Sequence, residues 1–596
     1  MSMNWGNKKW KPAGLPNKQP KINQDINELL KPLSEKKFKG NVWGSQIMNV
    51  EKDGTPAPSP TPTPTASVTP TPTSTPTPTP TPSATPPNPA FTFDVDTTIT
   101  GGSANRNFVL PLSNGLTYDF VVDWGDGSTQ NVSGSSLTNV TKIYAVSGIY
   151  EIKITGTFPR IFFNNGGDRR KMLRIKNWGN IIWSSMNAAF NGCSNLNVTA
   201  SDAPNLSSVT DLNNMFTSCS SLTGTSAFNT WNTSNVTSMQ SMFSFCTNFN
   251  APIGSWNTSN VTSMSIMFQN CTNFNQNISS WDTRKVTIMN QMFSGCANFN
   301  QNISSWITSG VTTMATMFSG CANFNQDISS WITSGVTTMA NMFQNCTNFN
   351  APIGSWNTSN VTTMSTMFSG CANFNQDISS WDTRKVTTMA AMFGTCANFN
   401  QDISSWVTTG VTSISNMFNG CANFNQPIGS WITSGVTSIQ NTFRNSTSFN
   451  QDISSWDTRR VTNMADTFLN ATSFNQDISS WVTTGVTTML SMFSGATSFN
   501  QNIGSWIFRT TGAVNMTNML NSCGMSTENY SRTLIGWANS ISSRGNLPSG
   551  TTLGAVGRTY NSVDYITGST YNNALAARTY LDTGTPAWTF VGDTQV

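Results

Sequence analysis

Histidine is absent from the 596-residue sequence. Its absence removes the commonest general base and the commonest metal ligand. Charge is scarce: Lys, Arg, Asp and Glu make up 10% of the chain, and the formal net charge is +4. So small a balance over this length does not point to nucleic acid, and no nucleic-acid partner is expected. No apolar run reaches the ~18 residues of a membrane-spanning helix, so no span is expected. The first residues, Met1-Ser2-Met3-Asn4-Trp5, lead into Lys8, Lys9 and Lys11 without an apolar core. They are therefore not expected to serve as a secretory signal peptide. Nucleophile–base pairs, glycine-rich phosphate loops and paired-carboxylate motifs are also lacking, and an enzyme is not expected. Two of the Asp residues would have to share a cleft to cleave a glycan.

What is present is repetition. Trp recurs at 231, 256, 281 and every 25 residues on to 506, without a slip in phase. Val311, Met314, Phe318 and Cys321 stand one period after Val286, Met289, Phe293 and Cys296. A fixed period of this size implies stacked units, each too small to bury its own apolar face.

The segments around the array differ in character. Residues 1–54 are polar and Lys-rich, with Trp5, Trp10, Ile22, Leu29, Leu30, Phe38 and Trp43 as anchors and room for a short helix around Asp25–Leu33. They read either as a tail or as a segment that docks on a virion or envelope component. Residues 55–90 alternate Thr and Pro. Proline fixes φ and lacks the amide donor, so a polyproline II stalk on the order of 100 Å is expected. Residues 91–160 hold short β-rich runs separated by turn residues. Val121-Val122-Asp123-Trp124-Gly125-Asp126-Gly127-Ser128, followed by Tyr144 and Gly148-Ile149-Tyr150, resembles the PKD-type immunoglobulin-like sandwich. Asp123 and Asp126 suggest either a Ca²⁺ ligand pair or a tight glycine turn. Residues 161–230 are expected to be an N-terminal cap with degenerate repeats, 231–523 the regular array, and 524–596 a C-terminal cap.

Within a unit, Val361, Met364, Met367, Phe368 and Cys371 recur at a spacing that suits one face of a short helix. Phe374 and Ile378 fall four apart, on one face of a short strand. The expected fold class is therefore an α/β repeat solenoid, leucine-rich-repeat-like, with one strand and one short helix per 25-residue unit. A small all-β sandwich and a disordered N-terminal stalk precede it. The pattern Phe-Asn-x-x-Ile-x-x-Trp-x-Thr-x-x-Val-Thr-x-Met-x-x-Met-Phe-x-x-Cys resembles the BspA-like surface-protein repeats. That resemblance implies a surface or secreted protein that adheres to hosts, matrix or other cells. The Lys-rich head and Thr/Pro stalk look more like a virion protein of a tailed phage.

Several rows invite a chemical reading. Cys recurs from 246 to 421 and then gives way to Ser446, Ala471 and Ala496, as expected of a small buried side chain rather than a disulfide or zinc ligand. Asn275 and its equivalents suit a ladder that satisfies backbone groups. The Trp row is either a sugar-stacking stripe or the edge of the core. Asp327, Asp377, Asp402, Asp452 and Asp477 occupy one position, where neighbours such as Asp377 and Asp402 repel. Water, Ca²⁺ or a basic ligand would relieve that. Arg284, Lys285, Arg384, Lys385, Arg459 and Arg460 add isolated basic points, either ligand contacts or solvated loops. No catalytic residue, resident metal or cofactor is expected. The expected function is recognition of a host-surface polysaccharide or protein from a virion surface. Bacterial-surface display, secretion or a purely structural fibre role are the alternatives.

Overall fold

The computed structural model describes residues 89–545, 548, 550–584 and 587–596. The chain divides into two units, 1–83 and 84–596. The expected docking segment at 1–54, with its helix around Asp25–Leu33, and the expected linker at 55–90, except Pro89 and Ala90, lie outside the described residues.

The described chain begins with strands β1 (Phe91–Asp96), β2 (Asn107–Pro111), β3 (Tyr118–Asp123), β4 (Thr129–Gly134), β5 (Asn139–Ile143), β6 (Ile149–Thr157), β7 (Met172–Asn177) and β8 (Asn197–Val198). One sheet runs β4-β3-β6-β1-β7-β8, and β2 and β5 form a separate antiparallel pair. The period-2 pattern of β3 sets its faces: Tyr118, Phe120 and Val122 are buried, whereas Asp119 and Val121 are exposed. β7 comes from beyond residue 160 yet pairs with β1, Phe93 opposite Ile175. A buried ion pair fixes the segment leading into β7. Asp168 and Lys171 are fully buried and 3.4 Å apart. Asp168 accepts from the amides of Ser103 and Val109, both at 2.8 Å, and Lys171 Nζ donates to the carbonyls of Ser103, Ala104 and Asn107. Pairing and hydrogen bonding together make such burial of charge tolerable.

The parallel pairing of β7 with β8 leads into a column of coils. Single-residue parallel bridges join Ser238 to Ser263, Ser263 to Ile288, Ile288 to Thr313, and so on every 25 residues as far as Thr488. The expected helix in each unit is not there, and this corrects the expected fold class. Among the described residues the α-helices are α1 (Thr527–Arg544) and α2 (Ala574–Thr583), both after the array. The expected strand at Phe374–Ile378 is likewise absent; the ladder runs instead through the Val-Thr-x-Met stretch that was expected to be helical.

The backbone hydrogen bonds give the reason. In one coil the amides of Met364, Thr366, Phe368 and Gly370 donate to Thr388, Ala390, Met392 and Gly394 of the next coil, at 3.3, 2.9, 2.9 and 2.7 Å. The intervening amides of Met367, Ser369 and Cys371 close turns onto the carbonyls three residues back. A helix would need every amide to reach four residues back. Thr366 at φ +59° and Gly370 at φ +82° interrupt that path in each coil. Left-handed residues occur singly, not in a right-handed helix.

Side chains bind the column a second time. The Phe368 ring lies 5.8 Å from both Phe343 and Phe393 in the adjacent coils and 4.0 Å from Phe374 in its own. Trp381 Nε1 donates to the Ile353 carbonyl at 3.1 Å, and Thr383 Oγ1 to the Val407 carbonyl at 2.9 Å. Asn375 Oδ1 accepts from the Asn400 amide at 2.9 Å. Cys371 Sγ donates to the Phe343 carbonyl at 2.9 Å. Past the array, β9 (Asn515–Met516), β10 (Thr552–Gly554) and β12 (Thr589–Val591) continue the parallel order, and β11 (Thr559–Tyr560) pairs with β13 (Thr594–Gln595). α1 lies on the last coil and completes its ladders. Trp537 Nε1 donates to the Ile503 carbonyl at 2.9 Å, and the Ser526 amide donates to Asn500 Oδ1 at 2.8 Å.

Candidate functional site

The interior rows are occupied with structure. Every Cys from 193 to 523 is a free, buried thiol. Burial raises the pKa of Cys371 and Cys346, which disfavours the reactive thiolate. Ser446 makes the same bond as the thiols, donating to the Phe418 carbonyl at 2.6 Å. The Trp rings from 231 to 506 are at most 4% exposed, so no sugar can stack on their faces.

The Asp row lies on the surface in small turns. Oδ1 of Asp327, Asp377, Asp402, Asp452 and Asp477 accepts the amide of the Ser two residues on, each at 2.9 Å. Asn277 and Asn302 do the same at 3.0 and 2.9 Å. These amide bonds, aided by the Ser hydroxyls, hold Asp327, Asp377, Asp402 and Asp452 below the usual carboxylate range. Asp377 acts on Asp402 in the opposite sense, the expected repulsion between adjacent coils. Asp452, Ser454, Gln476, Asp477 and Ser479 line a depression of about 330 Å³. The neutral equivalent around Asn277 and Asn302 has about 410 Å³. The depression therefore comes from the coil geometry and not from the charge. Among the described residues no group of three or more Cys, Asp or Glu is arranged to hold a metal ion.

The Asp123–Ser128 segment is a turn held by its own groups. Asp123 Oδ1 accepts the Gly125 amide at 2.9 Å, and Asp126 Oδ2 pairs with Lys142 at 2.7 Å. Gly125, at φ +76°, passes so close to Glu151 that a Cβ would lie 2.4 Å from its carbonyl oxygen. The glycine is required there.

The basic points lie on a different part of the coil. Arg284, Arg384 and Arg459 each fold back on the Asp two residues earlier, Nε to Oδ1 at 2.9 Å and Nη2 to Oδ2 at 2.6 Å. These bonds hold Asp382 and Asp457 down to about 2. Lys285 and Lys385 donate to Asn260 and Asn360 at 2.7 and 2.6 Å. Arg460 lines a surface trough of about 510 Å³ with Thr409, Ser434, Gly435, Asp457 and Arg459.

Sequence reasoning passed over the row beside these residues. Ile307, Ile332, Val407, Ile432, Val482 and Ile507, each directly after a Trp, are 38–51% exposed. The signal was in the sequence as a linkage within each unit. Trp-Asp is followed by Thr-Arg-Lys or Thr-Arg-Arg, Trp-Asn by Thr-Ser-Asn, and Trp-Ile or Trp-Val by Thr-Ser-Gly or Thr-Thr-Gly up to Gly485. Among the described residues no helix is long and apolar enough to cross a membrane.

A hydrogen-bonded stack of near-identical coils with varied outer rows defines a tandem-repeat protein. Residues 184–290, 274–359, 351–438 and 412–533 match the family described as "Mycoplasma protein of unknown function, DUF285". The matches together span more than half of the chain, and the protein belongs to that family. No curated protein and no solved structure matches it.

Proposed function

We propose that the chain is a non-enzymatic, surface-displayed recognition protein whose repeat solenoid, akin to the BspA-like leucine-rich arrays, binds polysaccharide or protein on a host surface. The observation that carries this reading is the division of labour within each coil. Phe, Trp, Met and Val are nearly constant and buried, whereas the residue after Trp alternates among Asp, Asn, Ile and Val, exposed where it is Asn, Ile or Val and half-buried where it is Asp. A purely structural column has no need of such variation, while a binding face is built from it. The hydroxyls of Thr362 and Thr387 donate to the carbonyls of Thr337 and Thr362, at 3.1 Å, instead of to a base. That favours binding over catalysis.

The 91–160 segment, with Tyr144 Oη donating to the Trp124 carbonyl at 3.0 Å, is read as a PKD-like immunoglobulin-type sandwich. The Lys-rich composition of 1–54 and the Thr/Pro-rich sequence of 55–90 favour display on a phage virion. The family description, which names a bacterium, favours bacterial-surface display as the second reading. The test is binding of the purified full chain to host cells, with a chain lacking 1–54 assayed for incorporation into particles. The reading expects cell binding by the full chain. It also expects loss of incorporation on deletion, with the melting transition unchanged. A chain that binds no cell or glycan is a structural fibre, and the reading then fails.

A further inference from the structure

Residues 385, 410, 435 and 460 hold one position in four successive coils: Lys, Gly, Gly and Arg. At about 4.8 Å per coil the two backbone positions are set on the order of 14 Å apart along the column, with Lys385 Nζ reaching one coil further, to Asn360. The trough lies at the Arg460 end, lined by Thr409, Ser434, Gly435, Asp457 and Arg459, with Thr409 and Ser434 presenting hydroxyls; Lys385 stands one coil beyond Thr409. The glycines are favoured by close packing and not by φ: an added Cβ would lie 3.3 Å from the Val386 carbonyl oxygen at Gly410 and 2.9 Å from the Val411 carbonyl oxygen at Gly435, although Asn260 and Asn360 occupy the equivalent position in other coils. On the same two coils Val407 and Ile432 stand 40% and 50% exposed.

The charge at each end can be counted. Asp382 engages Arg384, and Asp457 engages Arg459, so Lys385 and Arg460 supply the excess positive charges. Lys385 donates to the neutral Asn360 and Arg460 makes no hydrogen bond or ion pair among the described residues, while each also acts electrostatically on the Asp three residues earlier, Asp382 and Asp457. Arg284 and Lys285, followed by Gly310 and Gly335 and then Asn360, repeat the arrangement with one basic end.

We propose that this trough binds a linear acidic polysaccharide. Two of its carboxylates meet Lys385 and Arg460, and the rings between them set hydroxyls against Thr409 and Ser434 and C–H faces against Val407 and Ile432. The inference rests on the recognition reading above and names its ligand class. Charge complementarity selects the occupant. Single positive charges on the order of 14 Å apart suit a chain that can set one carboxylate at each end with sugar hydroxyls and C–H faces between. A nucleic-acid strand places a phosphate every ~3.4 Å and needs aromatic platforms, which are buried here.

The test is calorimetric titration of the full chain with hyaluronan, polygalacturonate, neutral dextran and poly-aspartate. Binding of at least one acidic polysaccharide is expected, with none of dextran. The affinity should fall with salt and weaken at least tenfold in the Lys385→Gln/Arg460→Gln variant. Gly410→Asn, which fills the floor with the residue used at 260 and 360, should weaken it as well; because its Cβ would lie 3.3 Å from the Val386 carbonyl oxygen, a cooperative melting transition is the control for that variant. Failure of both acidic polysaccharides, unchanged affinity in the variants, or preference for poly-aspartate overturns the inference. Trough-dependent self-association, read as a doubled mass lost in the same variants, does so too. If those variants still bind host cells like the unaltered chain, the trough assignment falls and surface recognition stands. If the unaltered chain binds no cells, surface recognition itself falls.

Discussion

Replacing Phe368 with alanine removes a ring from the middle of the column. The ring is fully buried, with Phe343 and Phe393 each 5.8 Å away, Phe374 at 4.0 Å and Trp381 at 6.0 Å. Its neighbours cannot close the gap, because the backbone ladder fixes the spacing of the coils on both sides. The full cost of a buried Phe→Ala change, about 3–5 kcal/mol, is therefore expected. Phe368→Leu keeps most of the volume and should cost roughly 1–1.5 kcal/mol. A stack of repeats is stabilised by contacts between neighbours, so the lesion weakens the interfaces on either side of one coil. Urea unfolding followed by Trp fluorescence should then show the single transition of the parent chain split in two, as the column halves uncouple. A loss below about 1 kcal/mol with one cooperative transition would refute the contiguous ring column.

Cys371→Ala should cost about 1 kcal/mol, because the Phe343 carbonyl still accepts the Cys346 amide at 2.9 Å and Ala already serves at 471 and 496. A loss of about 2–5 kcal/mol in chemical denaturation, as on removing a disulfide, would contradict the free-thiol ladder. Ile266 holds φ +62°, a costly conformation for a β-branched residue, and Asn341 and Asn416 fill the same position. Ile266→Asn should stabilise the chain by about 1 kcal/mol, and a lowered melting temperature would mean that its side-chain packing outweighs the backbone strain. Lys142, and secondarily Ser128, hold Asp126 down to about 2, below its usual 3.8. That contribution is present above pH ~4 and lost as pH falls towards 2. The difference in melting temperature between the parent chain and Asp126→Asn should therefore be open at pH 6 and closed at pH 2; a constant gap would exclude the Lys142 pairing as its source.

The period, the buried rows and the free thiols were legible because they are statements about which positions tolerate which residues. Cys giving way to Ser446 and Ala471 reports a small buried site whatever the backbone does. Asn275 and its equivalents report an acceptor needed once per coil. The Asp row was legible as a surface row, but its role was not. Only the folded turn sets the amides of Ser329, Ser379 and Ser404 on the carboxylates, and the Asn-lined depression around Asn277 and Asn302 shows that charge is not what shapes the surface there. The exposed Ile and Val row was readable in the pairing of Trp-Ile with Ser-Gly and Trp-Asp with Arg-Lys, a linkage between positions rather than a motif.

The sequence by itself determined that the chain stacks, where each unit begins, and which side chains face inward. It did not determine the backbone path within a unit. Val, Met, Met-Phe and Cys at 361, 364, 367/368 and 371 satisfy a helical period. The same spacing also arises when three-residue turns alternate with bonds to the next coil. Tertiary structure chose the second, because the neighbouring coil offers a carbonyl to every other amide and left-handed residues such as Thr366 and Gly370 deny the helix its continuation. The basic ends of the trough were likewise brought into line only by stacking, since Lys385 and Arg460 are 75 residues apart in the chain and three coils apart in space.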